Sequence, residues 1–310
     1  MIDLVSLIAG AGILIVAGDL LVSAAIALSL RLGLSAALVS LTVVALGTSA
    51  PELLVSVRAA LEGAPDIALG NVVGSNIANI LLVLGVPALI LALGVSDAEA
   101  RFNYVLMCAA TLLFAALALF DRLDRVGGAI LLVALIAALT LSYRRSLDTP
   151  PELDVPDGMS GARTAIYLVI GVVGLPVGAT LLVDGARGLA EAVGVSEAAI
   201  GLTVVALGTS LPELAASVAA ARRGRTDVAV ANVVGSNILN LLAIIGATAM
   251  IAPLSVAPTI LTVDIPVMIG VSVLLGIFLV GGMRIGKGAG TLFIALYAVF
   301  VALALGDATL

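Results

Sequence analysis

Residues 41–53 read LTVVALGTSAPEL, and residues 202–214 read LTVVALGTSLPEL. A second block, NVVGSNI, occurs at residues 71–77 and again at residues 232–238. Both blocks recur at an offset of 161 residues, from 41 to 202 and from 71 to 232. Self-similarity at a fixed period is typical of duplicated architecture. The sequence therefore predicts two copies of one structural unit.

The composition indicates an integral membrane protein. The chain has 310 residues, of which 62% are hydrophobic and 11% are charged, whereas soluble domains are about 45–50% apolar and about 25% charged. It has no histidine and a single cysteine, Cys108, which excludes a His-based catalytic triad and a disulfide within the chain. The basic residues do not cluster as in a nucleic-acid-binding surface, so no nucleic-acid partner is expected.

The apolar segments predict an all-α fold of ten transmembrane helices, since each span needs about 20 residues. Five helices fall in each copy, and an odd number makes the second copy enter the membrane from the opposite side. The predicted organisation is a first five-helix repeat at 1–142, a linker at 143–163, and an inverted five-helix repeat at 164–310. The apolar runs lie near 4–30, 34–60, 67–95, 102–120, 126–142, 164–183, 198–221, 227–253, 257–281 and 288–305.

The basic residues predict the orientation, because cytoplasmic loops carry the excess of Lys and Arg. Ten of the 14 basic residues fall on the linker side of the predicted bundle and four on the other. The linker is therefore expected in the cytoplasm and both termini outside. The ten are Arg31, Arg101, Arg144, Arg145, Arg163, Arg222, Arg223, Arg225, Arg284 and Lys287, and the four are Arg58, Arg122, Arg125 and Arg187.

A proline interrupts the second apolar run of each copy, in GTSAPEL (47–53) and GTSLPEL (208–214). An interior proline removes one backbone hydrogen bond and clashes with the carbonyl four residues earlier. Pro51 and Pro212 are therefore expected to kink their helices and to free the carbonyls of Gly47 and Gly208. Exposed carbonyls at membrane depth are tolerated only inside protein or along a wet cavity.

Polar side chains are expected on the same faces as these carbonyls. Glu52 follows Thr48 by four residues and Ser49 by three, so these side chains share a helix face. In the next helix Asn79 follows Ser75 by four residues and shares a face with it. Carboxylate, hydroxyl, amide and carbonyl oxygens suit calcium, magnesium or sodium. The sequence thus predicts an all-oxygen cation site built twice. The second copy supplies Thr209, Ser210, Glu213, Ser236 and Asn240.

Some residues of these motifs can have structural roles instead. Buried glutamates can hydrogen-bond neighbouring helices, but a charge at the bilayer centre costs at least about 2.5–3.5 kcal/mol, which favours a functional role. Gly74 and Gly235 are predicted to allow close helix packing. Asn71 and Asn232 are expected to satisfy backbone groups rather than to bind an ion.

The paired motifs resemble the two alpha repeats of the sodium/calcium exchanger family, in its prokaryotic form within the cation/calcium exchanger superfamily. They are GTSAPEL with GNVVGSNIANIL (70–81), and GTSLPEL with ANVVGSNILNLL (231–242), and the likeness spans nearly the whole chain. It implies alternating-access exchange of one calcium for about three sodium ions, in a prokaryotic inner membrane. Potassium-dependent relatives carry an acidic residue where Asn240 stands, so the resemblance implies potassium-independent exchange.

The resemblance also implies a distribution of ligands. Calcium would bind the carboxylates of Glu52 and Glu213 and the backbone oxygens of Thr48 and Thr209. Sodium would share the two carboxylates, with Asn79 and Asn240 in supporting roles. The remaining sodium ligands would be Ser49, Ser210, Ser75, Ser236 and the carbonyls of Ala45 and Ala206.

Three other functions are alternatives to sodium/calcium exchange. A proton/calcium exchanger of the same superfamily is the nearest, although such relatives tend to carry an acidic residue where this chain has Ser75 and Ser236. A channel usually builds its pore from several subunits, and an intramembrane enzyme would need a Ser-His or zinc constellation. The expected partners are calcium, sodium and the lipid bilayer. No cofactor, enzymatic activity or obligate protein partner is expected.

Overall fold

The computed structural model describes residues 2–94, 98–120, 122–147, 159–192 and 206–307. Two predicted features lie partly outside these residues. They are the middle of the linker, at 148–158, and the start of the second LTVVALGTS block, at 202–205.

Ten helical segments follow one another through the described residues. Eight are long and apolar enough to cross a membrane, and the bent α2 makes a ninth span. The described part of α7 is too short to count as a membrane span, because it begins at Ala206. The segments are α1 (Ile2–Leu32), α2 (Ala36–Thr48 and Ala50–Leu61), α3 (Pro65–Ile90), α4 (Ala98–Ala118), α5 (Arg125–Leu147), α6 (Gly161–Ala192), α7 (Ala206–Thr209 and Leu211–Arg222), α8 (Thr226–Ile251), α9 (Ile260–Leu279) and α10 (Lys287–Asp307).

The helix bounds repeat at the same 161-residue offset as the sequence. Helix α3, at 65–90, corresponds residue for residue to α8, at 226–251. The predicted all-α membrane fold of two inverted five-helix repeats is confirmed. Within the described residues, strands are confined to an antiparallel pair, β1 (Arg122–Leu123) and β2 (Leu254–Ser255), with one isolated bridge between Leu93 and Ile285.

The helices flanking the linker are longer than their apolar runs. Helix α5 continues to Leu147 although its apolar run stops at 142, and α6 begins at Gly161 rather than 164. Arg144 and Arg145 ended the apolar run but occupy the last turn of α5, where positive charge is favourable because the helix dipole is negative there. The division of the chain at 142 and 164 stays a prediction.

Helices α3 and α8 form the centre of the bundle. In their apolar stretches 72% and 94% of the residues are buried, compared with 22% in α6 and 17% in α10. Gly235 of α8 is packed so closely on the backbone of Leu41 in α2 that a side chain would collide with it, which confirms the packing role of this glycine. The same prediction is wrong for Gly74, where a Cβ atom would meet no atom of the described residues within 4 Å. Both third helices are thus enclosed by the others, which places their polar residues inside the protein.

Helices α1 and α6 pack against each other along much of their length. Glycines make this approach possible, because a Cβ atom at Gly10 would lie 2.5 Å from the Leu182 nitrogen and 2.7 Å from the Gly178 oxygen. At Gly12, two residues further along α1, a Cβ atom would meet no atom of the described residues within 4 Å. The two glycines therefore share one helix and differ in their surroundings.

Replacing Gly10 by alanine is therefore expected to destabilise the protein, because overpacking costs roughly 1–3 kcal/mol. Gly12→Ala serves as the matched control and is expected to be neutral or stabilising by up to about 1 kcal/mol, since alanine favours helix more than glycine. Thermal unfolding of both purified variants in detergent measures the difference. Equal melting temperatures would contradict the close α1–α6 contact.

Candidate ion-binding site

Helices α2 and α7 are interrupted at equivalent residues. Ser49, with φ −85° and ψ 8°, separates the two parts of α2, which are bent by 47°. Ser210, with φ −85° and ψ 0°, separates the two parts of α7. Pro51 and Pro212 follow in the first turn of each second part, where a missing N–H is tolerated. The predicted interruption of both helices is confirmed.

The glutamates of both motifs lie at these breaks. Glu52 and Glu213 are both fully buried, and each occupies the first turn of its second helical part. A helix N-terminus carries a partial positive charge, which favours a carboxylate. The Glu213 carboxylate is within hydrogen-bond distance of Ser49, the residue at which α2 breaks, three residues before Glu52. The fold therefore brings together two acidic groups that are 161 residues apart in the sequence.

Hydroxyl groups surround the two carboxylates. Ser49 Oγ donates a hydrogen bond of 2.8 Å to Glu213 Oε1, which connects the first repeat to the second. Thr48 lies beside Glu213 as well. Ser75 of α3 lies beside the Glu52 carboxylate, outside strict hydrogen-bond geometry. These predicted ligands thus come from three helices and meet at one place.

Buried oxygen atoms without a partner belong mainly to the predicted site residues. Among the residues that the structure describes, ten buried side-chain oxygens have no hydrogen-bond partner, and eight of them belong to predicted site residues. Buried polar groups are normally paired, so such a cluster indicates a ligand that accepts lone pairs. The eight are Glu52 Oε1 and Oε2, Glu213 Oε2, Asn79 Oδ1, Asn240 Oδ1, Ser210 Oγ, Ser236 Oγ and Thr209 Oγ1.

The backbone ligands implied by the resemblance are placed at the same breaks. The Ala45 carbonyl accepts from Ser49 N at 2.9 Å and from Thr48 Oγ1 at 3.2 Å. Ala206 is the first described residue of α7, and Thr209 is the last before its break. The assignment of these carbonyls to calcium or sodium stays a prediction.

Asn71 and Asn232 satisfy backbone groups, as predicted. Asn71 Nδ2 donates to the Glu52 carbonyl at 3.2 Å, and Asn232 Nδ2 donates to the Glu213 carbonyl at 3.3 Å. Each amide also donates to a serine one turn further along the glutamate helix, at 2.9 Å and 3.1 Å. These bonds attach the third helix of each repeat to the glutamate of the second helix.

Sequence reasoning missed Asn76 and Asn237. The Asn79 amide nitrogen donates to Asn237 Oδ1, and the Asn240 amide nitrogen donates to Asn76 Oδ1, both at 3.1 Å. The signal was available, because Asn76 and Asn237 also recur at the 161-residue offset inside NVVGSNI. The π-helical turns 79–83 and 239–244 had no sequence signal, although such turns are frequent at functional sites.

The arrangement suits a hard cation. Two carboxylates supply two negative charges, and the other donors are neutral oxygens, which is the ligand set of calcium and sodium rather than of zinc or copper. Within the described residues, no group of three or more His, Cys, Asp or Glu side chains is present. The charge at the site therefore comes from Glu52 and Glu213.

Comparison with known proteins agrees with this geometry. The family described as "Sodium/calcium exchanger protein" matches residues 2–144 and 163–306. The sodium/calcium exchanger MaX1 of Methanosarcina acetivorans is 32% identical over 97% of both chains, and the inner membrane protein YrbG of Escherichia coli is 33% identical over 96% of this chain and 95% of its own.

The fold comparison gives the same relationship. A structure of the sodium-calcium exchanger NCX_Mj, soaked without sodium or calcium, superimposes with a TM-score of 0.87 at 32% identity, over 97% of this chain and 98% of the other. The family matches both halves of the chain, and the structural match extends over all ten helical segments. This multi-pass membrane protein therefore belongs to the sodium/calcium exchanger family.

Proposed function

We propose that the chain is a secondary antiporter that exchanges sodium for calcium across the membrane. The observation that carries this proposal is that eight of the ten unpartnered buried side-chain oxygens in the described residues belong to Glu52, Glu213 and the other predicted ligands. Two uncompensated carboxylates in a low-dielectric interior are unfavourable, and a bound cation removes that cost. Membership of the sodium/calcium exchanger family supports the choice of ions.

Calcium would bind between the two carboxylates, because one divalent ion neutralises both charges. Its other proposed ligands are the backbone oxygens of Thr48 and Thr209. Sodium ions would use the carboxylates together with smaller sets of neutral oxygens, supported by Asn79 and Asn240. These neutral ligands are Ser49, Ser210, Ser75, Ser236 and the carbonyls of Ala45 and Ala206.

Alternating access follows from the inverted repeats. Transporters of this plan place the ion site at the interface of the repeats and open it to each side in turn by moving one part against another. The hydrogen bond from Ser49 to Glu213 crosses that interface. With about three sodium ions for each calcium ion, every cycle would move one net positive charge, so the membrane potential would contribute to the driving force.

A proton/calcium exchanger is the second candidate. Glu52 and Glu213 are both fully buried, with no basic partner among the described residues, and a proton on one carboxylate removes a buried charge as a bound cation does. The hydroxyl groups beside the carboxylates favour sodium, because a proton needs no further ligands.

The proposed location is the inner membrane of a prokaryote, with both termini outside and the linker in the cytoplasm. The excess of ten basic residues over four on the linker side supports this orientation. The name of the YrbG relative supports the inner membrane.

An outward sodium gradient is expected to drive calcium into liposomes that contain the purified protein. The assay is radiocalcium uptake, compared among a sodium gradient, a pH gradient without sodium, and no gradient, with empty liposomes as the control. Uptake driven by the pH gradient and not by sodium would contradict sodium coupling and favour the proton/calcium exchanger.

Glu52→Gln and Glu213→Gln are each expected to reduce calcium uptake about a hundredfold, because losing one charge-assisted contact to a divalent ion costs roughly 3 kcal/mol. Glu62→Gln is the matched control. Its side chain is 60% exposed and pairs with Arg58, and exposed pairs contribute little, so uptake should be unchanged. Wild-type uptake by a folded Glu52 or Glu213 variant would remove that residue from the site.

Exchange is expected to proceed without potassium. Asn240 and Asn79 provide oxygens without charge, so potassium added to bound calcium would leave a buried positive charge uncompensated. Replacing potassium by choline on both sides of the liposomes should leave sodium-driven calcium uptake within about twofold of its original rate. Loss of uptake in choline would show that potassium takes part in transport.

A further inference from the structure

Two amide pairs connect the third helices of the repeats. Asn79 of α3 donates to Asn237 of α8, and Asn240 of α8 donates to Asn76 of α3, both at 3.1 Å. None of the four side chains is more than 2% exposed. Asn76 corresponds to Asn237 and Asn79 to Asn240 at the repeat offset, so the two pairs are the same interaction formed twice.

The groups next to the amide nitrogens of Asn237 and Asn76 determine the direction of each hydrogen bond. Asn237 Nδ2 donates to the Asn76 carbonyl at 3.4 Å and faces the Met107 sulfur at 3.7 Å. A carbonyl and a thioether are acceptors and have no proton to donate. The nitrogen end of Asn237 therefore points towards these two groups, and its oxygen end points towards Asn79.

The other repeat contains an equivalent arrangement. Asn76 Nδ2 faces the Met268 sulfur at 3.7 Å, and Asn76 Oδ1 accepts from Asn240. Met107 and Met268 are also 161 residues apart. In both arrangements a methionine sulfur faces the amide nitrogen of one asparagine, and the amide oxygen of that asparagine accepts a hydrogen bond from the second asparagine.

The orientation of Asn79 and Asn240 decides what they offer to an ion. With their nitrogens bound to Asn237 and Asn76, their Oδ1 atoms are left buried, and neither has a partner within the described part of the chain. An amide is nearly the same shape after a half-turn about its terminal bond, but the reversed group would present N–H donors, which repel a cation. The unpartnered Oδ1 atom of each amide offers lone pairs to a cation, whereas an NH2 group in the same place would repel it.

We propose that Asn76 and Asn237 are positioning residues that orient the Asn240 and Asn79 amides so that both present oxygen to the transported cations. The proposal rests on the proposed function and adds two residues to the machinery of the same site. Asn237 acts through Asn79, and Asn76 acts through Asn240.

The test is a pair of double-mutant cycles with sodium-driven calcium uptake as the assay. Asn237→Leu and Asn76→Leu are each made in three backgrounds: wild type, Asn79→Asp and Asn240→Asp. Aspartate presents an oxygen whichever way it is turned, so it does not need to be oriented. The assay is run at alkaline pH, where the introduced carboxyl group is ionised.

Each leucine variant is expected to raise the apparent KM for calcium and sodium about tenfold, as the loss of one cation ligand would. Asn79→Asp should suppress the effect of Asn237→Leu to within about twofold, and Asn240→Asp should leave it intact. The effect of Asn76→Leu should be suppressed by Asn240→Asp and left intact by Asn79→Asp. The matched controls are Asn237→Leu with Asn240→Asp and Asn76→Leu with Asn79→Asp. They combine the same types of substitution at residues whose side chains are not hydrogen-bonded to each other in these pairs.

A packing role would give a different result. If Asn76 and Asn237 only hold α3 against α8, the leucine variants should lower protein yield, melting temperature or maximal rate without a background-specific change in KM, and the proposal fails. Where a leucine variant does not fold, Asn237→Ala or Asn76→Ala removes the acceptor without adding bulk and is carried through the same cycles.

The experiments distinguish failure of the proposed function from failure of the positioning role. Absence of sodium-driven calcium uptake by the wild-type protein overturns the proposed function before any variant is compared. Normal exchange by the wild type, with KM changes that are equal in all three backgrounds, overturns only the positioning role.

Discussion

Two fully buried carboxylates inside a membrane protein are the constraint on which the rest of this structure depends. Charge in a low-dielectric interior is costly unless it is paired, and Glu52 and Glu213 have no basic partner within the described part of the chain. The surrounding features all reduce that cost. Both glutamates begin a helical segment, where the helix dipole is favourable, and the hydroxyl of Ser49 donates to one of them.

Duplication provides the site with parts that neither half contains alone. The carboxylates come one from each repeat, Ser49 reaches across to Glu213, and the amide pairs connect α3 with α8. A five-helix half would therefore have one carboxylate and unpaired amides. Because the halves are inverted, the interface lies within the bundle rather than on a surface, and α3 and α8 are accordingly its most buried long helices.

The two halves are not identical in their hydrogen bonds. Thr48 and Ser49 are hydrogen-bonded through their side chains, whereas the equivalent hydroxyls of Thr209 and Ser210 have no partner within the described residues. Under the proposed mechanism such differences are expected, because a carrier occupies one of two conformations at a time and equivalent helices then lie in different environments. An asymmetric ion pair between Asp19 and Arg223 also connects α1 to the residue that follows α7.

The sequence by itself determined the fold class, the repeat, the helix breaks and the two glutamates. Each of these depends on local chemistry: a long apolar run must span the membrane, an interior proline must interrupt a helix, and a charge inside an apolar run is too costly to be incidental. The backbone roles of Asn71 and Asn232 were predictable for the same reason. Only the tertiary structure decided how the two repeats meet. The bond from Ser49 to Glu213 and the pairing of Asn79 with Asn237 join residues 164 and 158 positions apart, and no local rule relates such residues. The first contact arises because the breaks of α2 and α7 meet, and the second because α3 and α8 lie against each other at the centre of the bundle, where each of these amide nitrogens finds an oxygen on the opposite helix.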